Sequence, residues 1–372
     1  MRVIDAVARR RAAGLPVIDL SAGQPSTPAP AAVRLAAHRA LDTDRIGYTN
    51  ALGLPPLREA IAGHYRDRVG LDVDPASIAV TTGSSGGFLL SFLAAFDVGD
   101  TVVMARPGYP AYRNMLAALG CRVVELPCGP QTRFQPTVAQ LEALDAPPAG
   151  LVVASPANPT GTMIAPDELR ALAAWCTEHG TRLVSDEIYH GITFGEAATC
   201  AWRNDRSSVV VNSFSKYFSM TGWRIGWLLV PDDLMDSVDR LAGNLAICPP
   251  ALSQLAAVAA FDAYNELDAN VARYADNRRR LLEHLPSVGI DRLAPADGAF
   301  YAYADVSRWT HDSLAFSARL LDEAGVAVAP GVDFDPVEGA RFVRMCFAGD
   351  GDEIERGVDQ LGAWLAAQPT LR

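Results

Sequence analysis

The chain has 372 residues, 49% of them hydrophobic and 20% charged, with a net charge of −11. This is the composition of a compact globule and not of a disordered tail, long enough for two domains with sizeable cores. The acidic balance argues against nucleic acid as a partner, and no apolar stretch reaches the roughly 18 residues that a membrane span needs.

At the N-terminus Val3, Ile4, Val7 and Ala8 are spaced as one face of a helix, with Arg9-Arg10-Arg11 at its polar face or end. No signal-peptide core is present there. Ser21-Ala22-Gly23-Gln24-Pro25 and Gly47-Tyr48-Thr49 follow, and Tyr48 by itself is read as ordinary packing. Short β-branched runs then alternate with Ala/Leu-rich segments, the rhythm of a mostly parallel sheet covered by helices. The expected strands span 77–82, 101–105, 122–126, 150–155, 181–185 and 208–212.

In open α/β sheets ligands gather at the carboxyl ends of the strands, and those ends carry distinctive groups here. After 77–82 comes Gly83-Ser84-Ser85-Gly86-Gly87, a turn opening a helix, whose free N–H groups suit a phosphate, although such turns start many helices. After 101–105 comes Pro107-Gly108-Tyr109-Pro110-Ala111-Tyr112. Strand 150–155 runs into Pro156-Ala157-Asn158-Pro159-Thr160-Gly161, where the prolines fix a turn that presents the Asn158 amide. Strand 181–185 ends in Asp186-Glu187-Ile188-Tyr189, a carboxylate at the mouth of a hydrophobic sheet or a plain helix cap.

Strand 208–212 leads into the most informative segment, Ser213-Phe214-Ser215-Lys216, followed by Gly222-Trp223-Arg224 and Gly226. Lys216 is the one lysine among 32 Lys and Arg residues, the other 31 being arginine. Arginine covers any need for surface charge, but it neither releases its proton nor forms an imine, whereas a lysine amine does both. Ser213 and Arg224 supply donors suited to a phosphate dianion. An imine-forming amine beside a phosphate site implies pyridoxal 5'-phosphate.

Beyond about residue 252 the pattern is a long helical stretch reaching Leu285, and then a smaller α+β region with strand-like runs at 300–304, 326–328 and 342–347. In the last, Arg341-Phe342-Val343-Arg344-Met345-Cys346-Phe347 alternates cations with apolar residues. Six cysteines (Cys121, Cys128, Cys176, Cys200, Cys248, Cys346) lie far apart, without CxxC or zinc-like His spacing, and are read as reduced thiols of a cytoplasmic protein with no metal site. Repeats and obvious linkers are absent. The expected division is an N-terminal segment 1–40 packing back on the small domain, a large domain 41–270 and a small C-terminal domain 271–372.

The lysine segment and the ordered motifs before and after it resemble the class I/II aminotransferases, the fold type I enzymes of pyridoxal phosphate, over essentially the whole chain. The resemblance implies an α/β fold with a mostly parallel, seven-stranded-type sheet between helices, plus the smaller α+β domain. It implies that Lys216 holds the cofactor as a Schiff base and serves as general base, and that Asp186 keeps the ring nitrogen protonated so that the ring acts as an electron sink. Asn158 and Tyr189 would meet the phenolic oxygen, with Glu187 behind Asp186. Tyr109 would stack on the ring, and Ser84, Ser85, Ser213 and Arg224 would take the phosphate. Tyr48 would reach the phosphate of the neighbouring subunit of a homodimer. Arg344 would bind the substrate α-carboxylate in a bidentate pair, helped by backbone near Gly23 and by Asn158.

The reaction so implied is transamination between an L-amino acid and a 2-oxo acid, with ping-pong kinetics. Phe88 to Phe96 and Ile247-Cys248-Pro249-Pro250 contain no cation, which favours a small neutral aliphatic amino acid of the alanine or valine type, with pyruvate or 2-oxoglutarate as acceptor. Aspartate is the alternative. A β-lyase or a decarboxylase could use the same site. A sensor module of a transcription regulator is disfavoured by the acidic balance and by an enzyme-like segment almost at the start of the chain.

Overall fold

A computed structural model describes residues 2–371. Twelve strands are arranged in three sheets: β1 (Ile18–Asp19), β2 (Ile78–Thr81), β3 (Thr101–Arg106), β4 (Arg122–Pro127), β5 (Gly150–Ala154), β6 (Arg182–Asp186), β7 (Val209–Ser213), β8 (Gly226–Leu229), β9 (Tyr301–Asp305), β10 (Val326–Ala327), β11 (Ala329–Pro330) and β12 (Phe342–Cys346). The large sheet has seven strands in the order β2-β8-β7-β6-β5-β3-β4. Neighbours from β7 to β4 are parallel, and β8 runs antiparallel to both β7 and β2. Six strands therefore point the same way, and their carboxyl ends share one edge.

The near-continuous apolar runs follow from burial on both faces: every residue of β2, β7 and β8 is buried, while the edge strand β4 is mostly not. Strand β8 is absent from the sequence expectation. Gly226-Trp227-Leu228-Leu229 is short, begins with glycine and follows directly on a functional loop, so nothing local separates it from that loop. Its glycine is required by space, since a β-carbon there would lie 2.8 Å from the Asn212 carbonyl oxygen and 3.1 Å from the Ser84 nitrogen.

Two further expectations are corrected. The stretch from 252 to 285 is not one helix: Ala251–Ala257 passes into a 3₁₀ segment, Val258–Asp262, and a new helix, Tyr264–His284, begins after Ala263 at φ −105°. No proline or glycine marks that break. The run 326–328 is a strand only at Val326–Ala327, where β10 pairs with β1, and the chain then enters a different sheet through β11 (Ala329–Pro330), which pairs with β12.

The small antiparallel sheet, β11-β12-β9, packs against Ser313–Ala324, and Gly351–Ala366 packs against that helix, against Tyr264–His284 and against β1 and β10. Strand β1 lies parallel to β10, and Cys346 donates from its backbone to the Leu20 carbonyl at 2.7 Å. The N-terminal segment thereby reaches the small sheet. A buried ion pair, Arg106 to Asp335 at 3.2 Å, and the Gly108 N–H on the Phe334 carbonyl at 3.1 Å tie that region to the end of β3. No helix among the described residues is long and apolar enough to cross a membrane, and the six cysteines are unpaired.

Candidate active site

Lys216 sits in the loop after β7, and the core fixes that loop on both sides of it. Phe214 and Phe218 are buried, their rings 4.9 Å apart, with Trp227 of β8 5.0 Å from Phe214. The lysine side chain passes over the rings of Tyr189 and Phe300, and Nζ donates to the Gly23 carbonyl oxygen at 2.6 Å. Burial holds its pKa down at about 8, assisted by the positive charges of Arg344 and Arg224 and opposed by Cys346 and Asp186.

Asp186 ends β6 and is almost fully buried. Its carboxylate accepts from the Tyr112 hydroxyl and from the Ile188 N–H. Desolvation pushes it up to about 6, against those two hydrogen bonds and the Lys216 charge. Glu187 turns away from the mouth and accepts from Ser185 and from the Ala201 N–H, holding the turn.

The phosphate-type donors converge from three segments. The Gly83–Ala95 helix begins with no side-chain cap, so its first N–H groups remain available. Gly83 has φ +68°, and a β-carbon there would stand 2.5 Å from an Arg224 nitrogen. Glycine is thus needed both for conformation and for the approach of the guanidinium. Arg224 itself takes a left-handed conformation, φ 52° and ψ 51°, a strained choice for a non-glycine residue that aims its side chain at the helix start. Ser84 and Ser85 lie in that first turn. The buried Ser213 hydroxyl bonds to Ser215 and to the Ile225 carbonyl.

Arg344, in β12, comes from the other side of the site. It is 7% exposed, donates to Asn158 Oδ1 at 2.8 Å and to the Ser21 carbonyl at 2.7 Å, and lies over the rings of Tyr301 and Phe334. Its Nε is buried without a partner. A fork with an unspent, desolvated donor is suited to a carboxylate. Because the Asn158 amide oxygen is taken by Arg344, its N–H₂ is the end left to donate.

Tyr189 is buried with its hydroxyl 2.6 Å from that of Tyr301. Tyr109 is partly buried and packs edge-on against Tyr112 at 5.4 Å. Gly23 presents its carbonyl to Lys216 rather than a donor to a carboxylate. Tyr48 stands apart from the others, 83% exposed. Three contributors escaped the sequence reading: Tyr112, Tyr301 and the Ser21 carbonyl. Tyr112 lies one helical turn after Tyr109, which is a usable signal; the other two have none.

A partly buried amine of lowered pKa, a buried carboxylate facing the same space and an anion cradle form a donor set that fits pyridoxal phosphate. Residues 16–361 match the family model for aminotransferase class I and II. The chain belongs to that family. The class I and II aminotransferases similar to it include the valine–pyruvate aminotransferase of Mycobacterium tuberculosis, 58% identical over 98% of this chain and 95% of that one. The aspartate/prephenate aminotransferase of Thermus thermophilus is 35% identical over 95% and 92%. The crystal structure of an aminotransferase from Mycobacterium tuberculosis superposes with a TM-score of 0.97 at 58% identity, covering 99% of this chain and 96% of that one. The expected fold type I architecture, aminotransferase activity and pyridoxal phosphate dependence hold for this aminotransferase.

Proposed function

We propose that this aminotransferase moves the amino group between a small neutral aliphatic L-amino acid, of the alanine or valine type, and a 2-oxo acid, pyruvate or 2-oxoglutarate. The observation that carries the substrate choice is electrostatic. Two arginines bear on both Lys216 and Tyr109, Arg344 and Arg224. One is suited to the α-carboxylate and the other to the phosphate, and neither is left for a side-chain carboxylate. The name of the Mycobacterium tuberculosis relative agrees with that reading.

Bound to these residues, pyridoxal phosphate supplies a carbonyl for the amino group and a ring that accepts electrons. Lys216 holds the cofactor and then, as a free amine with a lowered pKa, takes the proton from the substrate Cα. Asp186 provides the fixed negative charge at the ring nitrogen. Asn158 and Tyr189 donate to the phenolic oxygen, Tyr109 covers the ring, and Ser84, Ser85, Ser213 and Arg224 take the phosphate. Arg344 orients the amino acid by its carboxylate, with the 21–23 backbone beside it.

The exposure of Tyr48 supports a homodimer in which it reaches the neighbouring subunit's phosphate. Leu89 and Leu245, both exposed, line an apolar cavity of about 170 Å³ together with Ala51, three residues from Tyr48. The pairing of β1 with β10 supports an N-terminal segment that packs back on the small domain, whereas the expected boundaries at 40/41 and 270/271 fall inside the helices Ala31–Thr43 and Tyr264–His284, the first of which packs on Ala251–Ala257; unpaired cysteines support a cytoplasmic protein.

The test is the visible spectrum of the loaded protein with L-valine, L-alanine and L-aspartate added separately, without any 2-oxo acid. The reading expects loss of the yellow band with the aliphatic amino acids and not with aspartate. Bleaching by aspartate alone would establish the second reading, which the Thermus thermophilus relative's name favours.

A further inference from the structure

Tyr301 is 1% exposed and touches three parts of the site. Its hydroxyl lies 2.6 Å from that of Tyr189. The Arg344 guanidinium carbon is 4.3 Å from its ring centre. Its ring atoms come within 3.2 and 3.3 Å of where a β-carbon on Gly23 would stand, and the Gly23 carbonyl holds Lys216. Strand β9 supplies Tyr301, opposite Cys346 of β12. A phenylalanine would fill the same space, so the buried hydroxyl calls for a reason: leaving it unbonded is costly, and it bonds to Tyr189.

Two hydroxyls at this distance share one proton between their oxygens. In the reading above, on which this inference rests, Tyr189 gives its own proton to the cofactor's phenolic oxygen. Tyr301 is then the donor and Tyr189 the acceptor. A phenol that accepts a hydrogen bond becomes a stronger donor through the same oxygen. The titratable and charged groups facing the pair are Lys216 from the loop after β7, whose amine lies 5.6 Å from the Tyr189 ring centre, Arg344 and Cys346 from β12, Asp186 from β6, and Tyr109. Arg224 adds its charge at Lys216.

We propose that Tyr301 is a positioning residue. By donating to Tyr189 and bracing Arg344 on its ring, it sets the strength of the Tyr189 hydrogen bond to the cofactor, and so the pH at which the Lys216-bound cofactor loses its proton. The small domain thus adjusts the chemistry of the large one through a single hydroxyl.

The experiment titrates the visible absorbance of the pyridoxal-phosphate-loaded protein, alongside steady-state kinetics. Tyr301→Phe should raise the midpoint by about half a unit, part of the worth of one hydrogen bond. It should leave the amino acid KM within about twofold, because the ring face under Arg344 remains. Tyr301→Leu should raise the midpoint equally and raise KM by about threefold or more, through loss of the cation–π contact. Tyr189→Phe should raise the midpoint further, and Tyr301→Phe added to it should change nothing more. An unmoved midpoint in Tyr301→Phe, with Tyr189→Phe shifted, overturns the proposal and leaves Tyr189's role standing. An equal shift from Tyr301→Phe in the Tyr189→Phe background also overturns it, since the effect would not pass through Tyr189. An unmoved midpoint in Tyr189→Phe itself would remove both.

Discussion

The two ends of the site are built differently. The cofactor end is made of consecutive strand ends of one sheet: Thr81 and Ser213 both pair with Gly226, and Asp186 pairs with Val211 one strand over. Each functional side chain there lies at a strand end or within a few residues of one, and buried aromatics fix the Lys216 loop. The carboxylate end is assembled across all three sheets, from Ser21 and Gly23 near β1, Asn158 after β5, Tyr301 in β9 and Arg344 in β12. Its geometry depends on packing between segments more than 180 residues apart. The first end resembles a fixed frame, and the second an adjustable clamp on it.

That contrast predicts different failures on mutation. The largest effect is expected for Lys216→Ala, which should abolish turnover while pyridoxal phosphate still binds through the phosphate cradle. Near-wild-type transamination by the variant, measured over a full time course, would break the assignment of the frame. Asp186→Ala should come next, with a loss of about 10²–10³ in kcat, the usual scale for one preorganised electrostatic partner. A loss below about tenfold would mean that the buried carboxylate serves the fold and not the ring.

Arg344→Lys tests the clamp. Lysine keeps a charge but loses the fork that reaches Asn158 and the Ser21 carbonyl at once and that, in the proposed function, also takes the substrate carboxylate. Hydrogen bonds to charged groups contribute about 1.5–3 kcal/mol, so KM for the amino acid should rise by about tenfold or more, with kcat changing less. If kcat fell and KM stayed constant, the clamp would be acting on chemistry rather than on binding, and the comparison would lose its meaning.

The same contrast explains what could be read from the chain alone. Lys216, Asp186, Asn158 and the Gly83 turn were legible because each stands where a buried apolar run stops, and a run of that kind is a strong local signal. Arg344 was legible only through resemblance, since an alternating strand with two arginines has many uses. Tyr301 was illegible: its position in Gly298-Ala299-Phe300-Tyr301 is that of any core aromatic, and only the approach of Tyr189, 112 residues earlier, gives its hydroxyl a task. Strand β8 was missed for a related reason. Its identity is set by two flanking strands and by the closeness of Gly226 to the Gly83–Ser84 turn, and neither is a property of four residues in sequence. The break at Ala263 likewise has no local cause among the residue types that end helices.

The smallest expected effect is a shift of one titration, and it falls where the two ends meet. Lys216 belongs to the frame, yet its amine is held by the Gly23 carbonyl of the clamp. Burial lowers its pKa to about 8, from an ordinary value of 10.5. The amine is therefore neutral, and reactive toward an acylating reagent, above about pH 8. In cofactor-free protein its labelling rate should climb with pH through that value and then level off, whereas an ordinary lysine would still be gaining reactivity beyond pH 10. The α-amino group titrates in the same region, so the readout must be local. With a single lysine in the chain, acylation at Lys216 abolishes the one tryptic cut that is not at arginine, leaving Ser207 to Arg224 as an intact peptide. Quantifying that peptide against pH isolates the group. A midpoint near 10.5 would mean that the amine stands in water in the absence of the cofactor and that the clamp does not hold it. A midpoint near 8 would mean that the frame keeps its nucleophile desolvated before any cofactor arrives.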